Sequence, residues 1–169
     1  MEVPVVVEAA RRAGMVAVVL AALTMGLAFA HTLELPQKLA YEVATWTQLQ
    51  HGLYCYFAMV VGPLEVATVI AAVVFAVRAR GLRGGRLAAV GAVCFVVALG
   101  WWFAVVNTAN VEVGRWAVDA VPSDWGRWRA QWEFGHAGHF VVTSAGFLAL
   151  LGATVRVGAQ DHRRVPGRS

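Results

Sequence analysis

The sequence predicts an all-α protein, a four-helix transmembrane bundle with up-down-up-down topology. Composition is the first reason, because 59% of the 169 residues are hydrophobic and only 14% are charged. A soluble domain has about a quarter of its residues charged, so an ordinary water-soluble globule is excluded. The second reason is clustering: the charged residues are separated by long uncharged stretches that can face lipid.

Four apolar segments provide the helices of this bundle. Each is close to the roughly 20 residues needed to cross a hydrocarbon core of about 30 Å. They cover residues 14–30, 52–77, 87–106 and 137–155. The first segment has an alternative interpretation, because two arginines, an apolar run and Ala28-Phe29-Ala30 also fit a signal peptide that is cleaved before His31. Cleavage would leave three helices, whereas retention completes the bundle.

The lysines and arginines predict the orientation of the helices. One set of segment ends carries Arg11, Arg12, Arg78, Arg80, Arg83, Arg86, Arg156, Arg163, Arg164 and Arg168. The other set carries Lys38, Arg115, Arg127 and Arg129, in loops at about residues 32–50 and 108–135. Because cytoplasmic segments are rich in Lys and Arg, both termini are predicted to be cytoplasmic. Residues 1–160 form one membrane domain and residues 161–169 a basic cytoplasmic tail. The membrane is the plasma membrane if the organism is bacterial.

The second outer loop is predicted to contain a helix that leads into the fourth span. A turn at residues 121–124 is followed by side chains that recur at steps of three and four and therefore share one face. These are Trp125, Trp128, Trp132, His136 and His139. For the first two tryptophans, an interfacial aromatic belt is the alternative to a substrate contact.

Polar residues from different spans are predicted to lie at similar depths. At 1.5 Å per residue, His31, Asn107 and His136 lie roughly 28 to 31 Å from the cytoplasmic arginines, and Glu65 lies roughly 19 Å from them. An unpaired ionisable group in lipid is costly, so Glu65 should point into the bundle towards a partner. Glu65 is then part of a functional site, or else it makes a structural hydrogen bond between helices. The same count puts His51 at the surface. It also places Cys55 and Cys94 too far apart for a disulfide, so both are predicted to be packing residues.

Glutamate and histidine pairs one helical turn apart suggest a metal centre. Glu133, His136 and His139 form one such series, and His31 and Glu34 form another. Helix bundles hold mononuclear or dinuclear metal sites with inward Glu-x-x-His pairs and further carboxylates. The candidate ligands are His31, Glu34, Glu65, Glu133, His136 and His139. A histidine pair could equally bind haem, and a site without any cofactor is the third alternative.

Four segments of the chain resemble the anthrone oxygenase-like integral membrane family. These are FAHTLELPQKL at 29–39, GPLE at 62–65, VN at 106–107 and WRAQWEFGHA at 128–137. The resemblance extends from about residue 14 to residue 155 and implies a four-helix membrane protein. Characterised fungal relatives oxidise polycyclic anthrones to anthraquinones with molecular oxygen during polyketide biosynthesis.

The resemblance also implies which residues form the site. It points to His31, Glu34, Glu65, Asn107, Trp132, Glu133 and His136. We expect His31, Glu65 and His136 to be catalytic, with His136 or His31 as the base, and Asn107, Trp132 and Trp128 to bind substrate. Many family members have arginine or another residue where this chain has His139, which is therefore an added ligand or a substitute hydrogen-bond donor.

The predicted function is that of a membrane oxidoreductase, a monooxygenase, that acts on a planar, apolar anthrone- or quinol-like molecule. Its partners are membrane lipids and this aromatic molecule, and an oligomer is compatible with the sequence. Nucleic acid is excluded because the basic residues form no continuous face. The alternative is a non-catalytic four-helix membrane protein that binds metal or haem or acts as a partner subunit.

Overall fold

The computed structural model describes residues 3–162, and most of these residues are helical. The elements are α1 (Val3–Ala40), α2 (Val43–Leu49), a π-helical turn (Gln50–Tyr54), α3 (Cys55–Arg78), α4 (Gly85–Trp101), a second π-helical turn (Trp102–Val106), α5 (Asn107–Val113) and α6 (Trp125–His162). Within the described part of the chain no β-strand forms, apart from one isolated bridge between Ala117 and Ala120. The prediction of an all-α protein is therefore confirmed.

Four helical stretches are long and apolar enough to cross a membrane. They cover Val5–Ala40, Val43–Arg78, Gly85–Val113 and Trp125–Gln160. The longest have 36 residues, which is about 54 Å of helix at 1.5 Å per residue, against about 30 Å for a hydrocarbon core. The helices therefore extend well beyond the apolar segments that predicted them.

The prediction of an outer loop at residues 32–50 is wrong, because most of this segment is helical. α1 continues through Pro36 to Ala40, and α2 begins at Val43. The sequence suggested that the first helix ends here, because a proline and charged residues follow the apolar segment. The chain stays helical because the charge of Lys38, which is 2% exposed, is paired inside the bundle.

The second predicted outer loop is partly helical. α5 extends to Val113, and α6 begins at Trp125, directly after the predicted turn, so a helix leading into the fourth span is confirmed. Residues 163–169 of the predicted basic tail lie outside the described residues.

The turn between α3 and α4 is short. Gly81 has a φ of 77°, in the left-handed region that glycine adopts without a steric penalty. α4 then packs closely on α6, because Gly91 lies against Leu150 and Gly146 lies against Phe95. Small residues allow this close approach between membrane helices.

The two ends of the bundle have different interiors. Near the α3–α4 turn the core is built of alanines around Phe75, Phe95 and Leu150. At the opposite end an aromatic cluster, formed by Trp46, Trp116 and Trp132 with Val106, Ala109 and Val113, closes the bundle. Between the two lies the cavity described next.

Candidate functional site

A cavity of about 400 Å³ lies in the half of the bundle away from the α3–α4 turn. This volume is in the range of small-molecule sites, about 300–1,000 Å³. Apolar side chains such as Leu27 and Val61 form much of the wall. The predicted site residues that line the cavity are His31, Glu65, Asn107, Trp132, His136 and His139. The structure thus brings residues from all four long helical stretches to one place.

His136 has a defined tautomer. Its Nδ1 lies 2.9 Å from the backbone carbonyl oxygen of Trp132, one turn earlier in α6. Because a carbonyl oxygen can only accept, Nδ1 carries the hydrogen, and Nε2 of the neutral ring holds a lone pair. The indole of Trp132 covers the imidazole, with ring centroids 4.1 Å apart. His136 therefore offers the cavity a proton acceptor in a fixed orientation.

The contacts of His31 favour the opposite tautomer, because its Nδ1 lies closer to Nζ of Lys38 than to the carboxylate of Glu34, which is 3.8 Å away. Its Nδ1 lies 3.4 Å from Nζ of Lys38, and an ammonium group only donates. Nδ1 is then the acceptor, and Nε2 carries the hydrogen. The rings of His31 and His136 are in contact, with centroids 4.5 Å apart. Side by side, the two histidines present one donor and one acceptor.

Lys38 was assigned to an outer loop by the sequence, and the structure places it at the centre of a buried charge cluster. Its Nζ lies 3.0 Å from a carboxylate oxygen of Glu34 and 3.6 Å from one of Glu133. It also lies 4.5 Å from the ring centroid of Trp132. The spacing of His31, Glu34 and Lys38 at steps of three and four could have revealed this shared helix face.

Two aromatic donors complete the cluster, and sequence reasoning missed both. The indole of Trp46, which is fully buried, donates to Glu133 at 2.9 Å. The hydroxyl of Tyr54 donates to Glu34 at 2.5 Å. Trp46 belongs to α2 and Tyr54 to the first π-helical turn. The short elements after α1 therefore donate hydrogen bonds to one carboxylate of α6 and one of α1.

Glu65 points into the bundle towards a partner, as predicted. Its Oε1 lies 3.0 Å from Nε2 of His139, which joins α3 to α6. Both side chains are almost fully buried. One turn further along α3, Thr68 shares a hydrogen bond of 2.8 Å with Thr24 of α1.

The six predicted metal ligands are not brought together as one ligand set. Among the side chains that the structure describes, those of residues 5–160, no three from His, Cys, Asp or Glu are placed to hold one metal ion. The physical reason is Lys38, because its ammonium group lies between the carboxylates of Glu34 and Glu133 and takes the place that a metal ion would need. His31 and His136 are not arranged on opposite sides of a haem plane either, since their rings are in contact, with centroids 4.5 Å apart.

Three further predictions about individual residues are wrong. Trp128 does not line the cavity, because it packs on the outside of the aromatic cluster and donates to Asp124 at 3.1 Å. His51, predicted at the surface, lines the cavity and contacts the carbonyl oxygen of Val113 at 2.9 Å. The cavity reaches the level of His51 because it extends up to the first π-helical turn. Cys55, predicted as a packing residue, is exposed at the cavity wall, and neither it nor Cys94 forms a disulfide.

Comparison with known proteins adds no relative to this description. No protein-family model, no curated protein and no solved structure matches the chain significantly. The family resemblance of the sequence therefore stays a prediction, and the functional argument depends on the geometry of the cavity.

Proposed function

We propose that the chain is a membrane oxidoreductase of the anthrone oxygenase-like type, which oxidises a planar, apolar anthrone- or quinol-like substrate with molecular oxygen. One observation carries the proposal. The contacting pair of His31 and His136, with a donor on one ring and an acceptor on the other, lies beside Trp132 at the wall of a largely apolar cavity. Such a cavity can hold an aromatic ring system by stacking and place its reactive carbon beside a base.

In this reaction His136 is the base. Its Nε2 removes one proton from the methylene carbon of an anthrone, and the ring system delocalises the resulting charge. This carbon then bonds to dioxygen, and His31 donates a hydrogen bond to the peroxide oxygen that becomes negative. After protonation by His136, the O–O bond breaks as the second hydrogen leaves the carbon as a proton. The products are a ketone and one water molecule, so dioxygen is the oxidant and no metal ion is required.

The proposal includes an orientation. The helices run up-down-up-down, and both termini face the cytoplasm. Because Lys38 is buried, the basic side chains that reach the surface at the opposite end are those of Arg115, Arg127 and Arg129, which strengthens the positive-inside bias. The cavity then lies in the outer half of the bundle, where an apolar substrate can enter from the lipid.

A structural role of the polar residues is the rival proposal, and a specific observation favours it. Lys38 and Glu133 connect α1 with α6, while Glu65 and His139 connect α3 with α6. Buried polar contacts of this kind can fix the packing of membrane helices. In that case the chain would be a non-catalytic membrane protein or a partner subunit.

Oxygen consumption by the detergent-purified protein with anthrone tests the two proposals. His136→Gln should lower kcat by about 100-fold or more, the usual contribution of a general base, without loss of folding. Thr143→Val is the matched control, because Thr143 is buried on the same helix and does not line the cavity. Turnover should continue in the presence of a chelator. If no anthrone or quinol is oxidised, or if His136→Gln keeps full activity, the catalytic proposal is wrong.

A further inference from the structure

The proposed reaction leaves Glu65 and His139 without a task, although both line the cavity. His139 follows His136 by one turn of α6, which places it about 4.5 Å deeper in the bundle. The side chains of the pair are 6% and 3% exposed. A buried carboxylate and imidazole at this depth are costly in a membrane protein, and such residues are functional by default.

The contact within the pair is incomplete. Nε2 of His139 lies 3.0 Å from Oε1 of Glu65, yet it is a buried atom without a well-directed hydrogen bond in the described part of the chain. The remaining wall at this end is apolar and includes Leu27 and Val61. A polar atom of a ligand at this place would find hydrogen-bond partners in the pair.

We propose that Glu65 and His139 form a second polar subsite, which binds a hydroxyl or carbonyl group of the substrate while His31 and His136 act on another edge of the same ring system. This inference rests on the proposed function. A phenolic hydroxyl donates to the carboxylate of Glu65 and accepts from His139, whereas a carbonyl accepts from His139. Because the two pairs are separated by about one helical turn, one fused-ring molecule can contact both. The substrate class is therefore a polycyclic aromatic with oxygen substituents on two edges.

Binding of products that do not react tests the subsite independently of turnover. The probes are anthraquinone and a monohydroxyanthraquinone, and the signal is quenching of tryptophan fluorescence in detergent. Wild type should bind the hydroxylated probe about ten-fold more tightly, as expected for a hydrogen bond to a charged group. The double variant Glu65→Leu/His139→Leu should bind both probes equally. Its stability should be retained, because replacement of both partners by apolar side chains leaves no unpaired buried charge.

The controls separate the subsite from folding and from the reaction. Thr143→Val should keep the ten-fold preference. If the double variant does not fold, Glu65→Gln, which keeps the size of the side chain, should reduce the preference in the same measurement. Equal binding of both probes to wild type, or a preference that survives in the variants, overturns the subsite. A preference for the hydroxyl in a protein that consumes no oxygen supports the subsite and refutes the proposed oxidation.

Discussion

Replacement of Lys38 by methionine should destabilise the protein strongly, although Lys38 does not line the cavity. Its ammonium group is 2% exposed and is paired with Glu34 and Glu133. Methionine retains most of the apolar contacts of the lysine stem and removes the charge. The carboxylate of Glu133, which is 1% exposed, then keeps only the neutral donor of Trp46 at 2.9 Å.

The structure sets the expected magnitude. Loss of one partner from a buried ion pair costs about 3–5 kcal/mol. The side chain of Glu34 is 45% exposed, so solvent screens its ion pair with Lys38. The contribution of this pair to the free energy of unfolding should not exceed about 1 kcal/mol. The bond from Trp46 stabilises the remaining carboxylate of Glu133 and places the total near the lower limit, at about 3 kcal/mol.

Unfolding in mixed detergent micelles, followed by circular dichroism, measures this effect. Lys38→Arg keeps a charge and is the control for the loss of the lysine side chain. The double variant Lys38→Met/Glu133→Gln removes both charges and should recover at least about 2 kcal/mol relative to Lys38→Met. The argument is refuted if Lys38→Met is as stable as wild type, or if the double variant is less stable than the single variant.

The remaining predictions concern a helix contact and the cavity wall. Gly84→Ala should lower the free energy of unfolding by about 1–3 kcal/mol, because its new Cβ would collide with the backbone carbonyl of Ala153, whereas Gly26→Ala has nothing within 4 Å and should not destabilise. Equal thermal stability of the two variants would contradict the close contact. Maleimide labelling of Cys55, which is exposed at the cavity wall, should block binding of anthraquinone, and labelling of Cys94 should not. Full labelling of Cys55, verified by mass spectrometry, with unchanged binding would place the ligand elsewhere.

The sequence placed several site residues correctly because their positions depend on local geometry. His31, Glu65 and His136 belong to long helices. A rise of 1.5 Å per residue is enough to predict that the two histidines approach one level and that Glu65 lies below them. Lys38 was misplaced for the opposite reason. A charged residue after a proline ordinarily marks the end of a span, and only its contact with Glu133 of α6 makes burial favourable.

The sequence by itself determined that this protein is built of long apolar helices, since the transfer of a side chain into lipid depends mainly on that side chain and its neighbours in the chain. The tertiary structure alone decided which face of each helix meets the next. That rotation sets the pairing of Lys38 with Glu133 and of Glu65 with His139. The π-helical turns at Gln50–Tyr54 and Trp102–Val106 change the rotation locally. Such contacts join residues far apart in the chain, and no local pattern specifies them.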